Sequence, residues 1–136
     1  MFRKVHDIET PILRDGAIKL KKKGNVCILK LSGKLDLYNI YQVETFYNQL
    51  VEKGNKSIIL DLKKVNYLDS SGLGGLLKMS TDIKKYNGNM SICRLQGHSK
   101  NLVKMTCLDY TLLMSDSVRE SIKKLRQAIK IGGIVL

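Results

Sequence analysis

The chain has 136 residues, 43% hydrophobic and 26% charged, with 24 Lys and Arg against 12 Asp and Glu. That length and balance fit one compact globular domain with material for one core and not for two. No apolar run reaches the length of a membrane span, and the basic start Met1-Phe2-Arg3-Lys4 has no apolar stretch after it. No membrane association and no signal peptide are therefore predicted, and the protein is expected in the cytoplasm.

Residues 1–15 show no period and include the lone Pro11, so they read as an N-terminal arm. From Ala17 to Lys22, Ile18 and Leu20 alternate with Lys19 and Lys21, the pattern of a half-buried strand. Gly24-Asn25 reads as a turn. Val26 to Ser32 reads as a second strand, pairing back on the first and closed by Gly33. Over 39–53 the period lengthens: Ile40, Val43, Tyr47, Leu50 and Val51 share one helical face, and Gly54 is a stop signal. Ser57 to Leu62 is apolar without alternation, as in a central strand covered on both faces.

A loop at 69–74 leads into a helix carrying Leu73, Leu76, Leu77, Ser80 and Ile83, which stops near Asn87-Gly88. Met90 to Leu95 is a further strand, 99–107 a short helix with Ser99 as its N-cap, and Leu112 to Met114 a short strand. Ser117-Val118-Arg119-Glu120 is a capping box before the stripe Val118, Ile122, Leu125 and Ile129 of a last helix. Residues 131–136 form an apolar tail. The order β-β-α-β-α-β-α-β-α predicts a mostly parallel sheet with helices against it.

Cys27, Cys93 and Cys107 are odd in number, widely spaced and set among apolar residues, so they read as structural thiols in a reducing compartment. His6 and His98 stand alone, with no cluster at ligand spacing, so no metal is predicted. Asp82, Asp109 and Asp116 are dispersed and read as surface or capping groups. No nucleophile–base arrangement is visible, no catalytic residue is assigned and no cofactor is implied.

The net charge of +12 raises the question of nucleic acid. Residues 19–34 hold Lys19, Lys21, Lys22, Lys23, Lys30 and Lys34 with no acid between them. Lysine dominates over arginine, the usual reader of bases, and no basic–aromatic interleaving is present. A solvated lysine-rich surface is the better reading, and no nucleic-acid partner is predicted.

The informative stretch is Val65-Asn66-Tyr67-Leu68-Asp69-Ser70-Ser71-Gly72-Leu73-Gly74, set between a buried strand and an amphipathic helix. Asp and Ser at a helix start cap its free N–H groups. Gly72 and Gly74 leave the first turn bare for another molecule to approach. The positive end of the helix tolerates a phosphate. On these grounds the loop is open to three readings: a capped helix start, a site for a phosphate-bearing ligand, or a phosphorylation site.

Asp69-Ser70-Ser71-Gly72-Leu73-Gly74 after an apolar strand resembles the hallmark of the anti-sigma factor antagonists, which are STAS domains. Leu31-Ser32-Gly33-Lys34-Leu35-Asp36-Leu37-Tyr38 is similar to that family's Leu-x-Gly-Glu-Leu-Asp segment, with Lys34 where the family commonly has Glu. The resemblance implies an α/β fold: a STAS-like single layer of about five mixed, mostly parallel strands with about four helices packed against it. The domain would span 16–130, between the arm at 1–15 and the tail at 131–136.

It also implies an anti-sigma factor antagonist that binds an anti-sigma factor serine kinase, which phosphorylates Ser70, with Ser71 the alternative acceptor. Phosphorylation releases the partner, a PP2C-type phosphatase reverses it, and sigma-factor-dependent transcription is regulated in this way. Asp36, Asp69, Ser71, Gly72 and Leu73 are the implied partner contacts, with Leu73 equally readable as core. The runner-up is a STAS scaffold or a nucleotide- or anion-sensing module not regulated by serine phosphorylation. An enzymatic role has no support in the sequence.

Overall fold

Gly24, at φ +60°, reverses the chain between two antiparallel strands, β1 (Gly16–Lys23) and β2 (Val26–Leu35). The computed structural model describes residues 10–106 and 112–130. After the hairpin come α1 (Ile40–Glu52), β3 (Ser57–Leu68) and α2 (Ser70–Asp82), the last extended by a 3-10 turn at Ile83–Tyr86. Then follow β4 (Asn89–Cys93), α3 (Gly97–Met105), β5 (Met114–Ser115) and α4 (Val118–Lys130). The strands form one sheet in the order β1-β2-β3-β4-β5, antiparallel at β1 and parallel elsewhere. The alternation in the sequence predicts this mixed, mostly parallel sheet and its four helices.

The central strand divides the packing. Ile58, Leu60 and Leu62 of β3 face the larger core, with Val43, Phe46 and Leu50 of α1, Leu76 and Met79 of α2, and Val103 of α3. Ile59 faces the other way, into a smaller cluster with Val26, Ile28, Cys93, and Ile122 and Leu125 of α4. Cover on both faces removes the alternation from β3. Cys27 and Cys93 are buried free thiols. Burial, with the nearby Asp61 carboxylate, pushes the Cys93 thiol up to about 11, so it stays protonated and inert near neutral pH. Cys107 and the tail at 131–136 lie outside the described residues, as do residues 1–9.

Several boundaries move, each for a local reason. Leu13 is buried in the larger core, so the last part of the expected arm is packed against the domain. β2 does not close at Gly33 but runs on to Leu35, because two register shifts against β3 absorb the left-handed turn of Gly33 (φ +82°). β3 likewise continues six residues beyond Leu62, as far as Leu68. Its far half pairs with β2 alone, and there it exposes Lys63, Lys64, Asn66 and Tyr67. β4 stops at Cys93 because Arg94 turns left-handed, at φ +60°. Gln96 is the N-cap residue of α3, and Ser99, expected in that role, is buried inside the helix.

The stop and start signals act locally as read. Gly54, at φ +96°, donates its N–H to the carbonyl of Val51, and Asn55 donates to Leu50, capping α1. Half of the capping box forms: Ser117 Oγ accepts from the Glu120 N–H at 3.0 Å. The Glu120 carboxylate instead pairs with Lys124 one turn on, at 3.3 Å.

One buried ion pair ties β3 to the end of β4. Asp61, 2% exposed, accepts from Arg94 Nε at 3.0 Å, from Arg94 Nη2, and from the Lys63 N–H at 3.2 Å. Burial alone would raise this carboxyl, but the Arg94 and Lys63 hydrogen bonds and the charges of Arg94 and Lys30 outweigh it and hold it below its usual value. A carboxylate lowered on folding stabilises the fold above the ordinary carboxylate pKa of about 4, and that stabilisation is lost as pH falls through the lowered value. Asp61→Asn should therefore cost roughly 2 kcal/mol at neutral pH. Urea unfolding of the two proteins at pH 7 and in acid should show the gap between them narrowing at low pH.

Candidate functional site

Leu35 at the end of β2 and Leu68 at the end of β3 lie side by side in the parallel register, so the two segments that follow emerge together. Asp69 joins them. Its Oδ1 accepts from the Gly72 N–H at 2.8 Å, capping α2, and its Oδ2 accepts from the Leu37 N–H at 3.2 Å. Its own N–H donates to the Leu35 carbonyl at 3.4 Å, and its carbonyl accepts from the Leu73 N–H. One aspartate thus caps a helix and holds the neighbouring loop against it.

The loop after β2 is braced from within. Asp36 Oδ1 accepts from the Tyr38 N–H at 2.9 Å, and the Asp36 carbonyl accepts from the Ile40 N–H at the start of α1. Asn39, fully buried, accepts from the Asp36 N–H and donates from Nδ2 to the carbonyls of Arg14 and Lys34. The loop therefore presents Leu37 and Tyr38 outward on a fixed frame. Both are more than half exposed, as is Tyr41 on the first turn of α1, and Tyr67 next to the loop is 47% exposed. The Arg14 guanidinium lies 4.8 Å from the centre of the Tyr38 ring.

Each residue singled out in the sequence has a definite place here. Ser70 is exposed at the first position of α2, directly after the cap, and Ser71 is half-buried beside it. Asp36 and Asp69 are brought to the same end of the sheet, but the Asp36 carboxylate is 7% exposed and turned into its own loop. It braces the surface and does not present a charge on it.

Gly72 and Leu73, expected as partner contacts, are packed within the domain itself. A Cβ on Gly72 would lie 2.2 Å from the Leu35 carbonyl oxygen, so this glycine lets α2 start tight against the end of β2. Leu73 is 5% exposed and belongs to the larger core. Gly74 meets nothing within 4 Å and does leave its turn bare. A Cβ on Gly75 would strike Ile40, so α1 and α2 also meet closely at this end.

The exposed apolar side chains Leu37, Tyr38, Tyr41 and Tyr67 are the surface that sequence reasoning missed. Tyr41 carried a signal: it falls off the stripe that Ile40, Val43, Tyr47 and Leu50 define, so an aromatic there had to face water. Among the described residues no cluster of His, Cys, Asp or Glu could hold a metal, and no helix is long and apolar enough to cross a membrane.

Residues 17–121 match the family model of the STAS domain. The chain belongs to the STAS domain family. Among curated relatives it is 25% identical over 89 residues to BtrV of Bordetella bronchiseptica, named for anti-sigma factor antagonism, covering 65% of this chain and 77% of that one. It is 29% identical over 92 residues to the anti-sigma F factor antagonist of Paenibacillus polymyxa, covering 67% and 79%. Among solved structures, an anti-sigma factor antagonist from Mycobacterium paratuberculosis superposes with a TM-score of 0.73 at 20% identity, over 82% of this chain and 94% of that one. The antagonist SpoIIAA in its unphosphorylated form gives 0.64 at 20% identity, over 81% and 98%. The phosphorylated form of SpoIIAA, from Bacillus, gives 0.62 at 18% identity, over 79% and 98%. These likenesses between structures establish the fold, and this STAS domain carries it with the Asp69 clamp at the end of its sheet.

The two glycines separate packing from exposure. Gly72→Ala should destabilise the STAS domain by about 1–3 kcal/mol, because the added methyl meets backbone. Gly74→Ala should stabilise it by roughly 0.5–1 kcal/mol, as Gly to Ala does on an exposed helix. Asp69→Ala should cost about 1–2 kcal/mol through the lost cap. Urea midpoints of the three variants would check the order.

Proposed function

We propose that this chain is an anti-sigma factor antagonist working in the cytoplasm. It docks an anti-sigma factor serine kinase at the start of α2 and is released when that kinase phosphorylates Ser70. The observation that carries the reading is the exposed hydroxyl of Ser70, one residue after the Asp69 cap and at the positive end of a helix. Relatives named as anti-sigma factor antagonists support the role. The domain over 16–130 is the working unit, and a PP2C-type phosphatase returns Ser70 to its free hydroxyl.

The geometry supports a mechanism for this reading. Docking buries Leu37, Tyr38, Tyr41 and Tyr67, whose apolar surface gives the association its driving force. A phosphate on Ser70 brings roughly −1.5 to −2 charges to the edge of that surface, beside the Asp69 carboxylate. Within the domain the helix dipole offsets part of this charge. Against a partner, the phosphate must lose its water and meet Asp69, so binding fails while the fold stands. A protein of this fold, SpoIIAA, is known in both unphosphorylated and phosphorylated forms, in keeping with a switch that does not refold the domain. Ser71, half-buried, is the poorer acceptor, and the chain is the substrate of the kinase and not itself a catalyst.

Incubation with ATP and each anti-sigma factor serine kinase encoded in the same genome should place phosphate on Ser70, read by mass spectrometry of tryptic peptides. Phosphate on neither Ser70 nor Ser71 with any of them removes the reading in favour of a scaffold or sensing module. In pull-downs Ser70→Ala should keep the partner and Ser70→Asp should lose it, with affinity at least tenfold weaker. Leu37→Ala should weaken the complex without phosphorylation. Backbone NMR of the phosphorylated protein should differ only around the start of α2 and the loop after β2.

A further inference from the structure

A second cluster of charge lies on the sheet face opposite α1 and α2, where among the described residues α4 leaves the β1–β2 side uncovered. The antiparallel register sets Lys19 of β1 directly opposite Lys30 of β2, an arrangement in which like charges repel across the ladder. Lys30 in turn pairs in register with Asp61 of β3. That carboxylate is hydrogen-bonded by Arg94 and the Lys63 N–H, and its one negative charge, which also acts on Lys30, leaves a net excess of positive charge among the lysines around it. Among the described residues none of Lys19, Lys30, Lys63 and Lys64 makes an ion pair.

Two departures from regular strand geometry gather these cations. In a continued β4, Arg94 would share the face of Ile92 and point into the larger core. Its left-handed φ of +60° swings the guanidinium to the other face, onto Asp61. Such a φ is uncommon outside glycine, and it is held here by the buried carboxylate. In β3, the register moves from Lys30↔Asp61 to Ser32↔Lys64, so three residues advance against two. That bulge brings the consecutive Lys63 and Lys64 to one place. The result is a cleft of about 190 Å³ lined by Lys19, Lys30, Ser32, Lys63, Lys64 and Arg94 around the paired Asp61.

We propose that this cleft is a binding site for a compact multivalent oxoanion of the phosphate class, free or as the phosphate of a small ester. Bound there, the dianion would relieve the repulsion between Lys19 and Lys30, accept from the Ser32 hydroxyl, and meet an arginine whose orientation is fixed in advance by Asp61. The volume is below the roughly 300 Å³ at which sites for larger organic ligands begin, so the cleft suits a compact anion with room for water or a small ester group. The site uses none of the Asp69–Ser70 surface and does not depend on the antagonist reading.

The test is a titration of the 15N-labelled full chain with inorganic phosphate, with glucose 6-phosphate, and with chloride at matched ionic strength. Saturable amide shifts at Lys19, Lys30, Ser32, Lys64 and Arg94 with phosphate or the ester are expected. The tighter of the two identifies the free ion or the ester as the source. The Lys30→Gln/Lys64→Gln double variant removes two exposed side chains and orphans no buried group, and its affinity should fall at least tenfold. Lys19→Gln alone should show a smaller loss, and Ser70→Ala none. Shifts that follow ionic strength as chloride does, map to the start of α2, or persist unchanged in the double variant overturn the proposal.

Discussion

Both oxygens of one carboxylate organise the working end of this domain. Asp69 caps α2 through Gly72 and fixes the loop after β2 through the Leu37 amide, so two segments distant in sequence become one surface. The two oxygens let Asp69 place a separate acceptor at the helix and at the loop, which the shorter, single-oxygen side chain of serine does not offer. The tight seat of Gly72 on the Leu35 carbonyl and the insertion of Ile40 over Gly75 follow from that junction. On the proposed reading, a partner docking here would meet a loop whose backbone is already braced, which lowers the ordering cost of association.

On the proposed reading, a charge change at Ser70 would act on a complex and spare the fold, and the same junction supplies the reason. Ser70 is an exposed residue at a helix start whose partial positive charge is fixed in the backbone. Nothing in the core has to rearrange to accommodate a phosphate there. The exposed Leu37, Tyr38, Tyr41 and Tyr67 near it lie outside the core.

The fold was legible in the sequence wherever one residue's role is decided by its own neighbours in the chain. The stripe Ile40, Val43, Tyr47, Leu50 announced α1, and Gly54 and Ser117 marked a stop and a start that the hydrogen bonds repeat. The non-alternating run at 57–62 announced a strand covered on both faces. What escaped depended on what lies across the sheet. Gly72 reads as bare surface until the Leu35 carbonyl is placed against it. Leu73 is equally readable as contact or core until the strands beneath it are known. Arg94 has no pattern that foretells a left-handed turn, because its cause is the buried Asp61 on another strand. Asp36 announced the right neighbourhood but not that its charge would be turned inward.

One consequence of the lysine alternation concerns the boundary of the sheet. Among the described residues β1 is an outer strand, and its free side offers backbone donors and acceptors that no described strand pairs. Lys19, Lys21 and Lys23 are exposed along it, with Lys22 between them half-buried and reaching Asn55 Oδ1 at 3.3 Å. A second copy that tried to add its own β1 edge to edge would bring these rows of like charge into register. The edge thus discourages self-association by strand addition.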